Sequence, residues 1–249
     1  MLHMSGLRLY SDLAERWPLL SDPQDYADEA EIYRTAITAY TIGSVNTMLE
    51  LGSGGGNNAS HLKAYFEITL VDLSQAMLQV SQKVNPECRH LEGDMRSVRL
   101  GEEFNVVFIH DAIGYMSSRT DLESAIVTAF AHCRAGGTAL FVPDHTKESF
   151  EPQTDHGGQD EGDRGFRYLE WTFDPSPSDE QYISYMSYVI RKGAMVENVG
   201  HDVHVLGLFA DSTWIDIIRR AGFQPLQLPY EHSEFKPGQH SMFMGIKPI

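Results

Sequence analysis

The feature that most constrains this chain is a glycine-rich turn followed, one strand later, by an acidic residue. Residues 49–56 read Leu-Glu-Leu-Gly-Ser-Gly-Gly-Gly, and Asp72 stands at the end of the next apolar run, Ile68–Val71. Glycines between a strand and a helix let a ligand approach the backbone closely. An acid at the end of the following strand is placed to accept hydrogen bonds from a ribose diol. The pair therefore predicts a site for a cofactor that contains a nucleoside.

Strand-like apolar runs alternate with segments of helical periodicity in the first 142 residues. Residues 73–84 show the spacing of one helix face, and Thr120–Glu123 has the form of a capping box for a helix that Gly136 would close. This alternation predicts an α/β fold with a Rossmann-like, doubly wound parallel sheet. The five strands are expected at 45–51, 68–71, 89–92, 104–110 and 138–142.

The alternation stops after the fifth strand, where we expect an antiparallel β insertion. Residues 150–165 are rich in Asp, Gly, Gln and His and are predicted to form a mobile loop. A helix capped by Asp211 should follow the insertion. The expected antiparallel strands are 168–173, 181–191, 195–199 and 202–208, with two edge strands at 225–230 and 241–246. The chain is thus predicted to be one domain with an N-terminal helical lid (1–40), a cofactor-binding core (41–145), the insertion as substrate lid or dimer element (146–210), and a final helix with edge strands (211–249).

Each predicted parallel strand ends at or beside an acidic residue. Ligands of open α/β sheets bind outside the carboxyl ends of the strands, so these carboxylates should gather on the ligand face. A carboxylate rim suits a cofactor that carries a sulfonium and an ammonium, but it suits a pyrophosphate poorly, because like charges would be desolvated together. The rim favours S-adenosylmethionine (SAM) over a dinucleotide, although Asp111 could equally cap the next helix. The five acids are Glu50, Asp72, Asp94, Asp111 and Asp144.

The spacing of the glycines also favours SAM over a dinucleotide. A dinucleotide fingerprint has the form G-x-G-x-x-G, and Asn57 stands where its third glycine would be. The motif Glu50-x-Gly52-x-Gly54-x-Gly56 instead resembles the first motif of class I SAM-dependent methyltransferases. Three later segments resemble the other motifs of that family in order: Val71–Ser74, Gly93–Arg96 and Phe104–Asp111.

This resemblance implies a SAM-dependent methyltransferase and suggests which residues bind the cofactor. Asp72 would hold the ribose hydroxyls, and Leu73 would pack against the adenine. Asp94 would accept from the adenine amino group, Met95 would donate a backbone N–H, and His110 would line the methionine moiety. The expected cofactor-binding residues are Tyr26, Glu50, Gly52, Ser53, Gly54, Gly56, Asp72, Leu73, Asp94, Met95 and His110.

Within this family the chain resembles small-molecule enzymes similar to the amino-sugar N,N-dimethyltransferases. The segments that carry this likeness are Asp25–Tyr26, Gly114–Met116, Lys147–Phe150 and Asp202–His204. The chain departs from those enzymes in its longer 145–170 loop, at Asp144-His145, where they tend to have aromatic residues, and in an additional stretch around 17–21. The resemblance implies a small-molecule acceptor, methylated at an amine nitrogen rather than a hydroxyl, in a neighbouring family.

Methyl transfer needs no nucleophile from the protein, but a hydroxyl acceptor needs a general base and an amine must lose a proton. His145, just past the fifth strand, is expected to face the acceptor, with a surface loop position as the alternative. His204 is expected either to point inward as a base or to be an ordinary hydrogen-bonded sheet histidine. Tyr10, with Tyr26 and Tyr115, could form a lid over the sulfonium or could simply pack.

Composition argues against several other classes of protein. The net charge of −16, without a basic stripe, disfavours nucleic acids and anionic membranes as partners. No apolar run approaches the roughly 18 residues of a membrane span, and Cys88 and Cys133 show no metal-ligand spacing. Without a signal-peptide core at the N-terminus, we expect a cytoplasmic protein with reduced cysteines and no metal. The edge of the β insertion would allow a homodimer.

Two other functions stay open at this level. An NAD(P)-dependent oxidoreductase would share the glycine turn, but Asn57 and the acidic strand ends argue against it. A non-catalytic SAM-binding protein would share all of the cofactor motifs, because a fold alone does not imply turnover.

Overall fold

The computed structural model describes residues 7–232 and 238–249, which form two β-sheets and six α-helices. The strands in chain order are β1 Thr47–Leu51, β2 Glu67–Asp72, β3 Arg89–Glu92, β4 Phe104–His110, β5 Cys133–Val142, β6 Gln153–Gly157, β7 Asp160–Glu161, β8 Arg164–Phe173, β9 Gln181–Lys192, β10 Met195–Gly207, β11 Gln224–Pro229 and β12 Ser241–Ile246. The helices are α1 Trp17–Leu20, α2 Ala27–Tyr40, α3 Asn57–Leu62, α4 Gln75–Val84, α5 Arg119–His132 and α6 Asp211–Arg220. Short 3-10 helices lie at Arg8–Tyr10, Ala14–Arg16, Pro23–Tyr26 and Asp111–Tyr115.

The main sheet has the order β11-β12-β5-β4-β1-β2-β3 and confirms the predicted Rossmann-like fold. Strands β1 to β5 pair in parallel, as expected. The last two strands form the predicted antiparallel pair, but β12 lies inside the sheet against β5, and only β11 forms the edge. The difference follows from composition, because Met242, Phe243 and Met244 of β12 are almost fully buried, whereas β11 has only exposed and half-buried residues.

Helices cover both faces of the main sheet. Leu122 and Ile126 of α5 pack with Trp214 of α6 against one face. On the other face, Tyr33 of α2 and Leu62 of α3 belong to a second apolar cluster with the strands. Strand β4 is buried along nearly its whole length, as a central parallel strand should be. The carboxyl ends of the strands are left as the open edge at which a ligand can bind.

The insertion is a second sheet of order β10-β9-β8-β6, with β7 paired to β8. The prediction of a mobile loop at 150–165 was wrong, because β6 and β7 lie there. Strand β6 consists of polar, mostly exposed residues and is held by main-chain pairing to β8, so it has no side-chain periodicity to detect. The strands expected at 195–199 and 202–208 are one strand, β10, with an irregularity between Val196 and Asn198.

Three helix boundaries also differ from those expected. Ser118 caps α5 by accepting from the Asp121 backbone N–H, so the helix begins before the expected capping box. It ends at His132, and Gly136 lies within β5. Asp211 is the first residue of α6 and not its cap. Ala210 holds the N-cap position of α6 without a side-chain cap, and Cys133 holds the C-cap position of α5 in an extended conformation.

The N-terminal segment lies across the inner face of the insertion. Leu9 and Leu13 pack with Phe166 and Tyr188 of the insertion sheet. Both carboxylate oxygens of buried Asp202 accept hydrogen bonds from backbone N–H groups of this segment, at 3.1 and 3.0 Å.

Residues 1–6 of the predicted lid and 233–237 of the final segment lie outside the described residues. The division of the chain into the four predicted segments stays a prediction.

Candidate cofactor and acceptor site

The glycine turn follows β1 and lies at the open edge of the main sheet. The backbone N–H groups of Gly52 and Ser53 both donate to the Val71 carbonyl, at 2.7 and 3.1 Å. Gly52 has a φ of 75°, and a Cβ there would lie 2.5 Å from Cβ of Ala112 and 2.7 Å from Cε of Met95. Only glycine allows both this conformation and this close approach.

Asp72 fixes the turn against the start of α4. One carboxylate oxygen accepts from the Gly54 backbone N–H at 2.8 Å, and the other accepts from Ser74 at 2.7 Å. Burial raises the pKa of Asp72, and these two hydrogen bonds oppose the rise. Asp72 therefore holds its carboxylate in one orientation at the ligand edge of the sheet.

Two cavities meet at this turn. The inner cavity, of about 140 Å³, lies beneath the N-terminal segment, and the outer cavity, of about 490 Å³, lies on the β3 side. Both are lined by Gly52, Asp72 and Tyr115. Predicted cofactor residues at the inner cavity are Tyr26, Glu50, Gly52, Ser53, Gly54, Asp72 and His110. Those at the outer cavity are Gly52, Asp72, Leu73, Asp94 and Met95. Gly56 lines neither cavity and packs against α4 instead.

Several polar atoms at the inner cavity have no hydrogen-bond partner among the described residues. They include Oε2 of Glu50, Oγ of Ser53 and Oδ1 of Asn58. Burial, then the charges of Asp72 and Glu29, raise the pKa of Glu50 to about 8. Buried polar groups are nearly always paired in folded proteins, so these atoms indicate a polar ligand. A carboxylate aimed at such a cavity fits an ammonium group, and the inner cavity therefore fits the methionine end of SAM.

The outer cavity carries the residues expected at the adenine. Leu73 is exposed to it, and Asp94 and Met95 line it. Asp94 accepts hydrogen bonds from the backbone and guanidinium of Arg96, which hold the pKa of its carboxyl below its usual value. Arg96 also donates to Asp121 at 3.0 Å. Asp94 is thus already paired, and its contact with the adenine amino group stays a prediction.

A third cavity, of about 350 Å³, joins the inner cavity at Tyr26, His110 and Asp111. We call it the acid cavity, because four carboxylates line it. It lies between the N-terminal segment and the insertion, from which Tyr168 of β8 contributes. The four carboxylates belong to Asp25, Glu29, Asp111 and Asp144.

Asp111 and Asp144 form a carboxyl pair at the ends of β4 and β5. Each of the two side chains alters the pKa of the other, and two carboxyls so placed are most stable when they share one proton. Desolvation within the cavity raises the pKa of Asp111 to about 6, although its side chain is 49% exposed, and desolvation together with the charge of Asp111 raises the pKa of Asp144 well above its usual value. His110 Nε2 lies 2.8 Å from Asp111, while its Nδ1 contacts Asn58 at 3.3 Å. The His110 ring is therefore engaged at both nitrogens and orients Asp111.

The structure places His145 away from the three cavities. Its ring packs against Phe150 and Tyr182, and burial lowers its pKa to about 4. Asp144, one residue earlier, lines the acid cavity instead. The chain bends at Asp144, after β5 has ended at Val142, and the two neighbouring side chains go to different surroundings.

Tyr10 lines the inner cavity, whereas His204 reaches that cavity only through another side chain. Tyr115 donates to the Tyr10 hydroxyl at 2.9 Å, and His204 Nδ1 lies 2.6 Å from the Tyr115 hydroxyl. His204 itself is buried and lines none of the three cavities, and burial lowers its pKa. The role of each as a catalytic group stays a prediction.

Sequence reasoning missed several residues at the site. Trp17 and Asn58 line the inner cavity, and Glu29 and Tyr168 line the acid cavity. Asn58, Glu29 and Tyr168 belong to no motif. Trp17 belongs to the stretch that departs from the amino-sugar enzymes, which was its one visible signal.

Neither a membrane span nor a metal centre is found among residues 7–232 and 238–249. No helix in these ranges combines the length and the apolar character that crossing a membrane needs. The same residues contain no group of three or more His, Cys, Asp or Glu that could hold a metal ion.

The fold is that of a Rossmann-like protein that binds a nucleoside-containing ligand. Its marks are the parallel sheet, the glycine turn and the acid after β2. Residues 48–137 match the family model described as a methyltransferase domain. A curated relative from Streptomyces venezuelae, dTDP-3-amino-3,4,6-trideoxy-alpha-D-glucopyranose N,N-dimethyltransferase, is 25% identical over 240 residues, which are 90% of this chain and 92% of the relative.

Solved methyltransferase structures share the fold. The sugar N-methyltransferase KedS8 from Streptoalloteichus superposes with a TM-score of 0.82 at 21% identity, over 96% of this chain and 92% of that one. SAM-bound CalS10, an amino pentose methyltransferase from Micromonospora echinaspora, gives a TM-score of 0.73 at 19% identity, over 89% and 92%. Residues 48–137 thus carry a methyltransferase domain; the chain is a SAM-dependent methyltransferase with SAM as its cofactor, and the oxidoreductase alternative is not favoured.

Proposed function

We propose that this methyltransferase acts on an amine nitrogen of a small molecule, with amino sugars as the first class of acceptor. The acid cavity carries the proposal, because it opens into the inner cavity beside Asp111. Most amines are ammonium ions near neutral pH, and the carboxylates that stay ionised around the cavity beside the shared proton attract such a cation. The amino-sugar substrate in the name of the Streptomyces venezuelae relative supports the same class.

When bound, SAM supplies the methyl group: its methyl–sulfur bond breaks, the electron pair goes to sulfur, and the amine lone pair forms the new carbon–nitrogen bond. The ammonium must first lose a proton to expose that lone pair. The ionised carboxylate of the Asp111–Asp144 pair accepts this proton. Because the pKa of Asp111 is raised to about 6, it is a stronger base than an ordinary aspartate. The proton then leaves to water through the acid cavity.

The test compares two acceptors that differ only at the reacting atom. Purified protein is incubated with SAM and either dTDP-3-amino-3,4,6-trideoxyglucose or its 3-hydroxy analogue, and products are identified by mass spectrometry. The proposal predicts a methylated product from the amine alone. Equal methylation of the alcohol, or no product from a panel of amino sugars and small amines, would overturn it.

Replacing Asp111 by asparagine is expected to lower kcat/KM for an amine about tenfold or more and to change its pH dependence. In the wild type the rate should fall as pH drops through about 6, because protonating Asp111 removes both the ammonium-binding charge and the proton acceptor. In Asp111→Asn this acid limb should move away from pH 6. Exposed Asp28→Asn, next to Glu29 on α2, removes the same charge and should leave the profile unchanged. An unaltered acid limb in Asp111→Asn would contradict the assignment.

A homodimer through the outer face of the insertion sheet also belongs to this proposal. The side chains of Leu169, Trp171 and Val199 are 51%, 56% and 70% exposed, and they share this face with Tyr185 and Val189. These five side chains are uncharged, so two copies of a chain with a net charge of −16 can meet there without placing carboxylates together.

Trp171→Asp should therefore convert the dimer to a monomer without changing SAM affinity, as measured by sedimentation and calorimetry. Tyr65→Asp, which charges an exposed aromatic residue elsewhere, is the control. A wild-type protein that sediments as a monomer would remove the dimer from the proposal.

The cytoplasmic location and the lack of a nucleic-acid partner stay predictions.

A further inference from the structure

Trp17 has an unsatisfied indole N–H at the inner cavity. Its Nε1 is buried and has no hydrogen-bond partner among the described residues. Trp17 lines the cavity together with Glu50 and Ser53. The indole nitrogen is only ever a donor, and a buried tryptophan usually finds an acceptor. The missing acceptor is therefore expected on the ligand.

The indole ring is held against the glycine turn. A Cβ on Gly55 would lie 2.6 Å from Cδ1 and 2.8 Å from Nε1 of Trp17, so the pyrrole edge of the ring occupies the space that a side chain would need. The Tyr10 ring packs against the indole with its centroid 5.6 Å away. Trp17 is the first residue of α1. The indole N–H at the inner cavity therefore belongs to the N-terminal segment.

The unpaired atoms of the inner cavity divide into acceptors and donors. Oε2 of Glu50 and Oδ1 of Asn58 are acceptors, and they suit an ammonium. Nε1 of Trp17 is a donor, and Oγ of Ser53 can donate its proton. An amino-acid group has both an ammonium and a carboxylate; an ammonium beside Glu50 favours the ionised form of Glu50, so the carboxylate of the ligand must lie away from Glu50, on the donor side.

We propose that the Trp17 indole N–H, with the Ser53 hydroxyl, binds the carboxylate at the methionine end of SAM. Trp17 is then a cofactor-binding residue that ties the N-terminal segment to the cofactor. This inference rests on SAM as the cofactor and is independent of the acceptor. It also explains the need for glycine at position 55, because any side chain there would displace the indole.

The test uses calorimetric titration with two ligands that differ by the amino-acid group. S-adenosylhomocysteine carries the carboxylate, and 5′-methylthioadenosine has the same thioether nucleoside without it. Trp17→Phe keeps an aromatic ring but removes the N–H. It should weaken S-adenosylhomocysteine binding about tenfold, the effect expected for one charge-assisted hydrogen bond, and leave methylthioadenosine binding unchanged. Ser53→Ala should show the same selectivity.

The control is Trp171→Phe, the same substitution on the outer face of the insertion sheet, which should change neither affinity. Thermal unfolding without ligand checks that each variant is folded. Equal loss of both ligands in Trp17→Phe would mean that the indole acts by packing, and unchanged binding of both would mean that the N–H does not reach the ligand. Either result overturns the inference. Failure of the wild type to bind S-adenosylhomocysteine would also overturn it, together with the SAM assignment, whereas failure to methylate amines would leave it standing.

Discussion

Replacing Asp72 by alanine is expected to weaken SAM binding at least about a hundredfold. The carboxylate is the expected acceptor for the ribose hydroxyls, and two hydrogen bonds to a charged group contribute about 3–6 kcal/mol together. A change of 1.4 kcal/mol corresponds to about tenfold in affinity. The substitution also releases the Gly54 and Ser74 backbone N–H groups, which Asp72 now fixes at 2.8 and 2.7 Å. Calorimetry with SAM measures the loss directly.

A second variant at position 72 separates the charge of Asp72 from its shape, and a variant at an exposed position is the control. Asp72→Asn keeps one acceptor oxygen and should lose less affinity than Asp72→Ala. Asp28→Asn removes one exposed carboxylate outside the three cavities and should bind SAM as the wild type does. Thermal unfolding must show that the alanine variant is folded. Near-native SAM affinity in a folded Asp72→Ala protein would contradict the assignment of this acid to the cofactor.

Replacing Gly56 by alanine is expected to lower the free energy of unfolding by about 2–5 kcal/mol. Gly56 has a φ of 76°, and an L-residue in that conformation costs about 1–2 kcal/mol. The new Cβ would also overlap Oγ of Ser81 and Nδ2 of Asn85, which are fully buried on the side of α4. Overpacking of a rigid core costs about 1–3 kcal/mol more. Urea denaturation measures the sum.

Gly101 provides the matched control for this substitution. Its φ is 72°, but a Cβ there would meet nothing within 4 Å. Gly101→Ala should therefore cost only the conformational part, about 1–2 kcal/mol. If the two alanine variants are destabilised equally, the close contact between the glycine turn and α4 does not exist as described.

The parallel sheet could be predicted because its signals are local. Strand β4 is apolar along most of its length, and α4 shows one helix face between Ser74 and Val84. Strand β6 could not be predicted, because it is defined by main-chain pairing to β8 and its side chains are polar and exposed. The position of β12 inside the sheet depends on which strand buries more apolar surface, which is a property of the whole fold.

The cofactor site could be predicted for the same reason, since the glycine turn and Asp72 follow one another along the chain. The acid cavity could be predicted only in part: the acids at the strand ends placed Asp111 and Asp144 on the ligand face, but its other carboxylates come from α2 and the N-terminal segment, and Tyr168 comes from the insertion. The choice between Asp144 and His145 depended on the direction of the chain at the bend after β5, which no local pattern indicates. Trp17 became recognisable only when its indole nitrogen was found buried without a partner.

The most direct test of amine methylation is to locate the transferred methyl group. The protein is incubated with SAM labelled with carbon-13 in its methyl group and with the amino-sugar nucleotide, and the product is examined by NMR. We predict that the label appears on the sugar nitrogen and that Asp111→Asn slows its appearance. A label on oxygen, or no transfer under conditions where SAM binds, would contradict the assignment of this protein as an amine methyltransferase.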